Sequence, residues 1–363
     1  MIVLSLILAL ALAVYLFTRM PKFGRLPSGK RLSRIAASEN YSKGQFHNRI
    51  ATPDLSDGAT YFKVIKKVLL ERSKRSRPKI HIPGQKENLK SIEYFEDVVV
   101  WFGHSSYFLQ LDGKKFLVDP VFSGAASPIR ATTRGFAGSD IYTVHDIPEI
   151  DLLILTHDHW DHLDYETVTQ LRPKIKQVIC PLGVGEHLRR WGFQQDIVIE
   201  RDWNESFAIS DHFMVRTATA RHFSGRGFRR NKSLWTSYIL ITPSWKIYLG
   251  GDSGYGPHFA EIGKTFGPFD LAVLECGQYD AYWKFIHMMP EETVKAARDL
   301  NANVLLPVHW GKFALANHAW DEPILRVTAA AEKEKVALMT PMLGEIVNLN
   351  ETAIFGTWWE AVD

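Results

Sequence analysis

The pattern of apolar and polar residues divides the chain into three parts. Residues 2–17 form an apolar run that is interrupted only by Ser5. Residues 19–60 are rich in Gly, Pro, Ser and Asn, which is typical of an extended linker. Dense apolar segments begin near Glu93 and continue towards the C-terminus. The pattern therefore predicts an N-terminal membrane anchor at 1–20, a basic linker and amphipathic arm at 21–92, and a folded domain at 93–363.

Several segments of the folded domain have the length and composition of buried strands. Residues 98–102 are all apolar, and the segments 107–111 and 116–118 flank Asp112-Gly113, a strong hairpin signal. Further strands are predicted at 151–156, 214–220, 246–250 and 303–308. Helices are predicted at 165–171, 185–191 and 291–300, the last preceded by Pro290, which suits a helix start.

Residues 61–70 show a different pattern. Phe62, Ile65, Val68 and Leu69 recur near helical spacing with lysines between them, and a basic run continues to Lys79. Such a basic amphipathic helix can lie on an anionic membrane surface. The alternative is a helix that packs on the folded domain and exposes its basic side to solvent.

The charge of the chain is unevenly distributed. The 363 residues carry a net charge of +3, but residues 1–90 contain 18 Lys and Arg against 5 Asp and Glu. A basic arm on an acidic domain suggests an anionic surface as its partner. Because nucleic acid would not require the apolar run at 2–17, the sequence favours a membrane surface, and no nucleic-acid partner is expected.

The apolar run is slightly short for a membrane span, but bilayer thinning can accommodate it. Its basic neighbours, beginning with Arg19 and Lys22, follow the run, whereas a secretory signal has basic residues before it. We therefore predict an uncleaved transmembrane helix with the catalytic domain on the cytoplasmic side. A cleaved signal peptide, which would place the protein on the periplasmic or secreted side, stays open as the alternative.

The densest group of metal-binding residue types is Thr-His-Asp-His-Trp-Asp-His at 156–162. Imidazole and carboxylate groups are natural ligands of zinc and similar ions. His157 and His159 alternate after a predicted strand and can face one ion. Asp161 and His162 follow one short turn later and can reach a second ion. The segment therefore predicts a metal centre.

Three more residues of these types follow predicted strands. His222, Asp252 and His309 come after the strands at 214–220, 246–250 and 303–308. In α/β sheets, functional sites assemble at the carboxyl ends of strands. We therefore expect these side chains to converge with the 156–162 segment.

The motif H-x-H-x-D-H at 157–162 resembles the signature of the metallo-β-lactamase superfamily, and His222, Asp252 and His309 follow in the family's order. Five further segments are similar to the branch of N-acyl-phosphatidylethanolamine-hydrolysing phospholipase D and the bacterial RomA-like proteins. They are Trp-Phe-Gly-His-Ser-Ser at 101–106, Asp119-Pro120, and the segments 221–227, 250–254 and 309–317. The resemblance covers residues 22–358. It implies an α/β protein with an αββα sandwich.

The resemblance also implies a ligand set. One ion is assigned to His157, His159 and His222, and the other to Asp161, His162 and His309, with Asp252 bridging them. Two zinc ions are implied, although other divalent ions use the same ligand types. A hydroxide shared by the ions would attack a phosphodiester, which in the family's own reaction is that of an N-acyl phospholipid, and Asp161 and Asp252 count among the catalytic residues.

Further roles are implied by the same resemblance. His287 is expected to contact substrate, either binding a phosphate oxygen or protonating the leaving alcohol. Ile286 departs from the glutamine of the mammalian enzymes, which bears on head-group selectivity. Four residues are expected to orient ligands or contact substrate, namely Asp119, His104, Arg226 and Tyr282.

Other functions would use the same metals. A lactone or amide hydrolase for a small soluble substrate and, less favoured by the apolar N-terminus, a nuclease of the RNase Z type stay open. A membrane-bound metal-binding protein without catalysis is disfavoured by the complete ligand set. A homodimer is compatible with all of these functions.

Overall fold

The computed structural model of the chain describes residues 2–362, with the exception of the Leu69 side chain, and contains two seven-stranded β-sheets. The helices are α1 Ile2–Thr18, α2 Lys30–Ala36, α3 Tyr61–Leu70, α4 Tyr165–Leu171, α5 Gly185–Arg190, α6 His258–Phe266, α7 Pro290–Asp299 and α8 Glu322–Glu334. The strands are β1 Tyr41–Ser42, β2 Gln45–Phe46, β3 Val98–Trp101, β4 Tyr107–Leu111, β5 Lys114–Val118, β6 Ile150–Ile154, β7 Ile175–Pro181, β8 Val198–Arg201, β9 Ser206–Ser210, β10 Phe213–Ala218, β11 Ser237–Ile241, β12 Lys246–Leu249, β13 Phe269–Glu275, β14 Ala302–Val308, β15 Ala337–Leu338 and β16 Ile346–Asn348.

The two large sheets have the same mixed construction. The first has the order β16-β3-β4-β5-β6-β7-β8 and the second the order β15-β14-β13-β12-β11-β10-β9. In each sheet the first strands along the chain pair antiparallel, and those from β5 to β8 or from β12 to β15 pair parallel. The last strand, β16, pairs antiparallel with β3. The predicted Asp112-Gly113 hairpin joins β4 to β5, and both residues adopt a positive φ, as a tight hairpin turn requires.

Alternation along the strands explains how the layers pack. On β3, Val99 and Trp101 enter the core between the sheets, whereas Val98 and Val100 face the other side and join side chains from α4 and α5. Helices α6, α7 and α8 contribute apolar side chains to the core on the second sheet. The layers are therefore helix, sheet, sheet and helix, which confirms the predicted αββα sandwich.

Part of the N-terminal arm packs on the folded domain. Ile35 on α2 and Phe46 on β2 are buried against Trp203 and Trp235. The prediction of an extended linker is wrong for these residues, because burying large apolar side chains stabilises a packed arrangement. Both residues are isolated within a polar segment, so no hydrophobic periodicity of a helix or a strand indicated that they pack on the folded domain.

Helix α3 covers the predicted range. The Thr60 hydroxyl accepts a hydrogen bond from Lys63 N at 3.2 Å and caps the helix. Phe62 and Ile65 are exposed, by 77% and 55%, so part of the apolar face of α3 does not pack on the folded domain. The Leu69 side chain, which belongs to the predicted apolar pattern, lies outside the described part of the chain.

Helix α1 carries the N-terminal apolar run, and none of its residues is buried. Within residues 2–362, no helix combines the length and apolar character that crossing a membrane requires. The prediction of a transmembrane anchor is therefore not supported.

Candidate metal centre

The seven predicted metal ligands meet at one edge of the sandwich. His157, His159, Asp161 and His162 lie in the loop that follows β6 of the first sheet. His222, Asp252 and His309 follow β10, β12 and β14 of the second sheet. Both sheets therefore contribute loops to one site, and six of the seven side chains are buried.

A first cluster consists of His157, His159, His222 and Asp252. His159 Nδ1 lies 2.9 Å from His157 Nε2 and 3.2 Å from His222 Nε2. Asp252 Oδ2 lies 3.7 Å from His157 Nε2 and 3.6 Å from His222 Nε2. Three imidazoles and a carboxylate thus converge on one point, which is the donor set that zinc prefers.

A second cluster consists of Asp161, His162, His309 and a residue that was not predicted as a ligand, His104. His104 Nε2 lies 2.8 Å from Asp161 Oδ2, and the His104 ring packs on His309 with 4.1 Å between centroids. His162 Nε2 lies 3.6 Å from the same Asp161 oxygen. The position of His104 allows it either to orient Asp161 or to bind an ion directly.

Asp252 lies between the two clusters and offers one oxygen to each. Its Oδ1 is 3.1 Å from His162 Nε2 and 3.2 Å from His309 Nδ1, whereas its Oδ2 faces His157 and His222. Burial alone would raise the pKa of Asp252, but the imidazoles of His162 and His309 hold it well below its usual value. Asp252 is therefore an ionised carboxylate in the position of a bridging ligand.

The hydrogen bonding of these groups tests whether metal ions fit. His162 Nε2, Asp252 Oδ1 and His104 Nδ1 are buried, and none of them has a hydrogen bond of good geometry within the described chain, although the first two lie 3.1 Å apart. Leaving buried polar atoms unpaired costs about 1–3 kcal/mol for each group. A cation between the donors would pair them. Burial, reinforced by His162 and His159, also lowers the pKa of His157 well below its usual value, which favours the neutral imidazole that a metal requires.

Hydrogen bonds fix the orientation of several ligand rings. Asp119 accepts a hydrogen bond from Thr156 N at 2.9 Å, and its other oxygen lies 2.8 Å from His162 Nδ1. His222 Nδ1 lies 2.8 Å from the Ile286 carbonyl oxygen, which leaves Nε2 for an ion. Such contacts fix the ring tautomer and strengthen the ligand. A backbone carbonyl gives no side-chain signal, so the contribution of Ile286 could not be found from residue types.

His287 contacts a residue that the sequence did not single out. Its Nδ1 lies 2.5 Å from Glu275 Oε2, and Glu275 Oε1 accepts a hydrogen bond from Ser253 N at 2.8 Å. Burial lowers the pKa of His287, but Glu275 more than compensates and raises it above the usual value. Glu275 ends β13 directly after the apolar residues 271–274, and a carboxylate at the end of that apolar run was the available signal.

A cleft of about 510 Å³ opens onto both clusters. His159, Asp161, Asp252, His287 and His309 line its polar part. Apolar and aromatic side chains line much of the rest, namely Leu55, Tyr61, Val64, Phe223, Trp283, Ile286 and Leu315. Because Tyr61 and Val64 belong to α3, that helix forms part of the wall of the cleft.

Two predicted substrate residues do not line this cleft. Tyr282 is half-buried, and its ring lies beneath the Lys67 ammonium of α3 at 5.0 Å. Arg226 is buried and donates hydrogen bonds to the carbonyl oxygens of Lys22, Asp158 and Leu163. Arg226 thus ties the N-terminal arm to the loop that carries the metal ligands.

A family model described as "Beta-lactamase superfamily domain" matches residues 114–310. The chain belongs to this superfamily. The outer membrane protein RomA of Klebsiella pneumoniae is 57% identical over 110 residues, covering 30% of this chain and 83% of that protein. N-acyl-phosphatidylethanolamine-hydrolyzing phospholipase D 1 of Caenorhabditis elegans is 30% identical over 286 residues, covering 72% of this chain and 75% of that protein.

A solved structure supports the fold of this superfamily member. Igni18, a metallo hydrolase from the archaeon Ignicoccus hospitalis, has a TM-score of 0.54 and 20% sequence identity, covering 69% of this chain and 97% of that chain. The matches confirm the predicted fold and the predicted resemblance to the phospholipase D and RomA proteins. The protein is therefore a metal-dependent hydrolase of the metallo-β-lactamase fold.

Proposed function

We propose that this protein is a two-zinc phosphodiesterase that hydrolyses membrane phospholipids in the manner of a phospholipase D. The position of Asp252, with one oxygen towards each ligand cluster, is the observation that carries the two-ion proposal. The activity named for the Caenorhabditis elegans relative supports the substrate class. The imidazole-rich donor set, which contains no thiolate, supports zinc among the divalent ions.

His157, His159 and His222 would hold one ion and Asp161, His162 and His309 the other, with Asp252 shared. Such ions lower the pKa of a coordinated water and stabilise charge on phosphoryl oxygens. Asp119 and the Ile286 carbonyl keep His162 and His222 in the orientations that binding requires.

His287 is the proposed general acid. Glu275 holds a proton on His287 Nδ1, so the ring's other nitrogen can carry the proton that the reaction needs. Water attacks phosphorus, the bond between phosphorus and the head-group oxygen breaks, and His287 gives a proton to the departing alkoxide. The products are a phosphatidate and the free head-group alcohol.

The walls of the cleft support a lipid rather than a small polar substrate. Phe223, Trp283, Ile286 and Leu315 present apolar surface beside the ligand clusters. Arg230 lines the same cleft and is positioned to attract a phosphate, although it also pairs with Asp54 at 2.8 Å. The acyl part of a phospholipid would lie along this apolar surface.

Helix α3 supports an anionic membrane surface as the partner. It lines the cleft with Tyr61 and Val64 and exposes Phe62 and Ile65 next to Lys63 and Lys66. Exposed apolar residues with neighbouring lysines suit the boundary between lipid head groups and acyl chains. A lipid could therefore move from the membrane into the cleft without passing through bulk water.

The direct test is incubation of the purified protein with phospholipid vesicles, followed by mass spectrometry of the products. We expect phosphatidate and free head-group alcohol, and neither product after the ions are removed by a chelator. Bis-p-nitrophenyl phosphate, nitrocefin, a lactone and RNA serve as comparison substrates. Hydrolysis of the lactone or nitrocefin without any phosphodiester cleavage would replace the proposal by a lactone or amide hydrolase.

A further inference from the structure

A second cavity, of about 580 Å³, lies where α1 meets the folded domain. We call it the foot cavity, and its lining shares no residue with that of the metal cleft. Its lining includes six basic side chains, namely Arg19, Arg25, Arg190, Arg226, Arg229 and Lys232. Asp158 is the one acidic residue of the lining.

Most of this positive charge is not neutralised. Asp158 accepts hydrogen bonds from Gly225 N and Ser233 Oγ, both at 2.7 Å, and its single negative charge is set against six basic side chains. Arg25 approaches Glu186 only to 3.8 Å. Within residues 2–362, Arg229 has neither a hydrogen bond nor an ion pair through its side chain. A concave surface of one charge sign concentrates ions of the opposite sign.

The foot of α1 is fixed beside the cavity. The Arg226 guanidinium lies 3.9 Å from the centroid of the Trp160 ring and donates to the Lys22 carbonyl oxygen at 2.9 Å. Trp191 Nε1 donates to the Pro21 carbonyl oxygen at 2.7 Å, and Arg190 donates to the Arg19 carbonyl oxygen at 2.9 Å. These contacts therefore hold the residues that follow α1 in a fixed position beside the cavity.

Apolar surface borders the same cavity. Leu16 is 57% exposed at the end of α1, and the other apolar residues of that helix are exposed as well, except the half-buried Phe17. Phe228, in the cavity lining itself, is 86% exposed. Basic groups next to exposed apolar side chains match the layered chemistry of a membrane surface, where phosphates lie above acyl chains. A free phosphate or a nucleic acid would use the charges but not the apolar surface.

We propose that the foot cavity is a non-catalytic site for the phosphate groups of anionic phospholipids, with Phe228 and the exposed surface of α1 in contact with the same membrane. The site goes beyond the proposed phosphodiesterase function and does not depend on it, because none of its residues lines the metal cleft. It also differs from α3, since the foot cavity shares no lining residue with the metal cleft that α3 helps to form.

The test measures binding of the full-length protein to vesicles of phosphatidylcholine with about one third phosphatidylglycerol, and to vesicles of phosphatidylcholine alone. The test variant combines Arg190→Gln, Arg229→Gln and Lys232→Gln. Each basic residue near an anionic surface contributes about a fivefold change in affinity, so we expect a loss on the order of a hundredfold for the anionic vesicles. Binding to neutral vesicles and hydrolysis of bis-p-nitrophenyl phosphate should stay near wild type.

The matched control removes three basic groups on the outer helical layer, with Lys264→Gln, Lys333→Gln and Lys335→Gln. It changes the net charge equally, and we expect less than about a twofold change in anionic vesicle binding. If the test variant loses structure, Arg229→Gln alone serves, because this exposed side chain has no described partner, and about a fivefold loss is expected. Wild-type vesicle binding by the test variants, or an equal loss in the control, would overturn the site. If the protein bound RNA or inorganic phosphate more tightly than anionic vesicles, the phosphate ligand of the foot cavity would not come from a membrane lipid.

Discussion

Glu275 Oε2 and His287 Nδ1 lie 2.5 Å apart beside the metal ligands, in a contact from which solvent is nearly excluded. The contact fixes which nitrogen of His287 carries its shared proton and leaves the other for substrate. Glu275 is thereby a positioning residue for the proposed acid, although it does not itself line the cleft.

Replacing the carboxylate with an amide tests this role. In Glu275→Gln, we expect kcat for an alkyl phosphodiester to fall by about 10–100-fold with metal content unchanged. Glu275 raises the pKa of His287, so its loss lowers that pKa and the acid form is depleted at lower pH. The basic limb of the pH–rate profile should therefore move to lower pH. Glu275→Asp should restore part of the rate, and an unmoved profile would reject the role.

Removing the imidazole tests the acid directly. His287→Asn should keep metal content and melting temperature near wild type and lower kcat for alkyl leaving groups by about 10²–10⁴-fold. p-Nitrophenolate needs little protonation, so a p-nitrophenyl substrate should lose much less activity. An equal loss on both substrates would favour phosphate binding over acid catalysis, and full activity would remove His287 from the reaction.

Asp119 offers a test of how one ligand is oriented. Asp119→Asn removes the negative charge beside His162 Nδ1, and contacts of this kind typically contribute about 10–100-fold to metal affinity. We expect the ion of the Asp161, His162 and His309 cluster to be lost first during dialysis against a weak chelator. Retention of both ions at wild-type affinity would show that Asp119 only supports the fold around Thr156.

The exposed face of α3 can be tested with a closely matched control. Phe62→Ser should lower hydrolysis of vesicle-bound phospholipid by about tenfold, because an exposed apolar contact with the membrane is lost, and should leave bis-p-nitrophenyl phosphate hydrolysis unchanged. Phe95→Ser removes a phenylalanine of similar exposure, 79% against 77%, away from the cleft. If both variants hydrolyse vesicle lipid alike, α3 does not contact the membrane during catalysis.

The parts of the fold in which apolar residues follow a clear helical or strand pattern could be predicted from the sequence. The ranges of α3 and α4 were predicted to the residue, and the strands before His157, His222, Asp252 and His309 were placed within two residues of their ends. This accuracy has a physical source, because buried strands of a sandwich are continuous apolar runs and the ligands must follow their ends.

Contacts made by single residues could not be predicted in this way. Phe46 packs on the folded domain from a two-residue strand, which is too short to show a period. His104 joins a ligand cluster from the turn after β3, and Arg226 bonds to the chain at Lys22, which is 204 positions away. Pairings of this kind depend on the tertiary arrangement, which no local pattern encodes. The N-terminal run illustrates the converse, since its apolar composition suggested a membrane span, whereas no helix within residues 2–362 has the length and apolar character of one.

Asp252 joins the two halves of the proposed two-ion site, and metal analysis of one variant tests this arrangement most directly. Asp252→Asn should reduce bound zinc from about two equivalents to less than one, because Asp252 alone faces both clusters, and should abolish phosphodiester hydrolysis. Asp158→Asn makes the same change at a buried carboxylate that faces His187, and should keep both ions. A wild-type protein that is fully active with one equivalent, or an Asp252→Asn variant that retains two, would contradict the account.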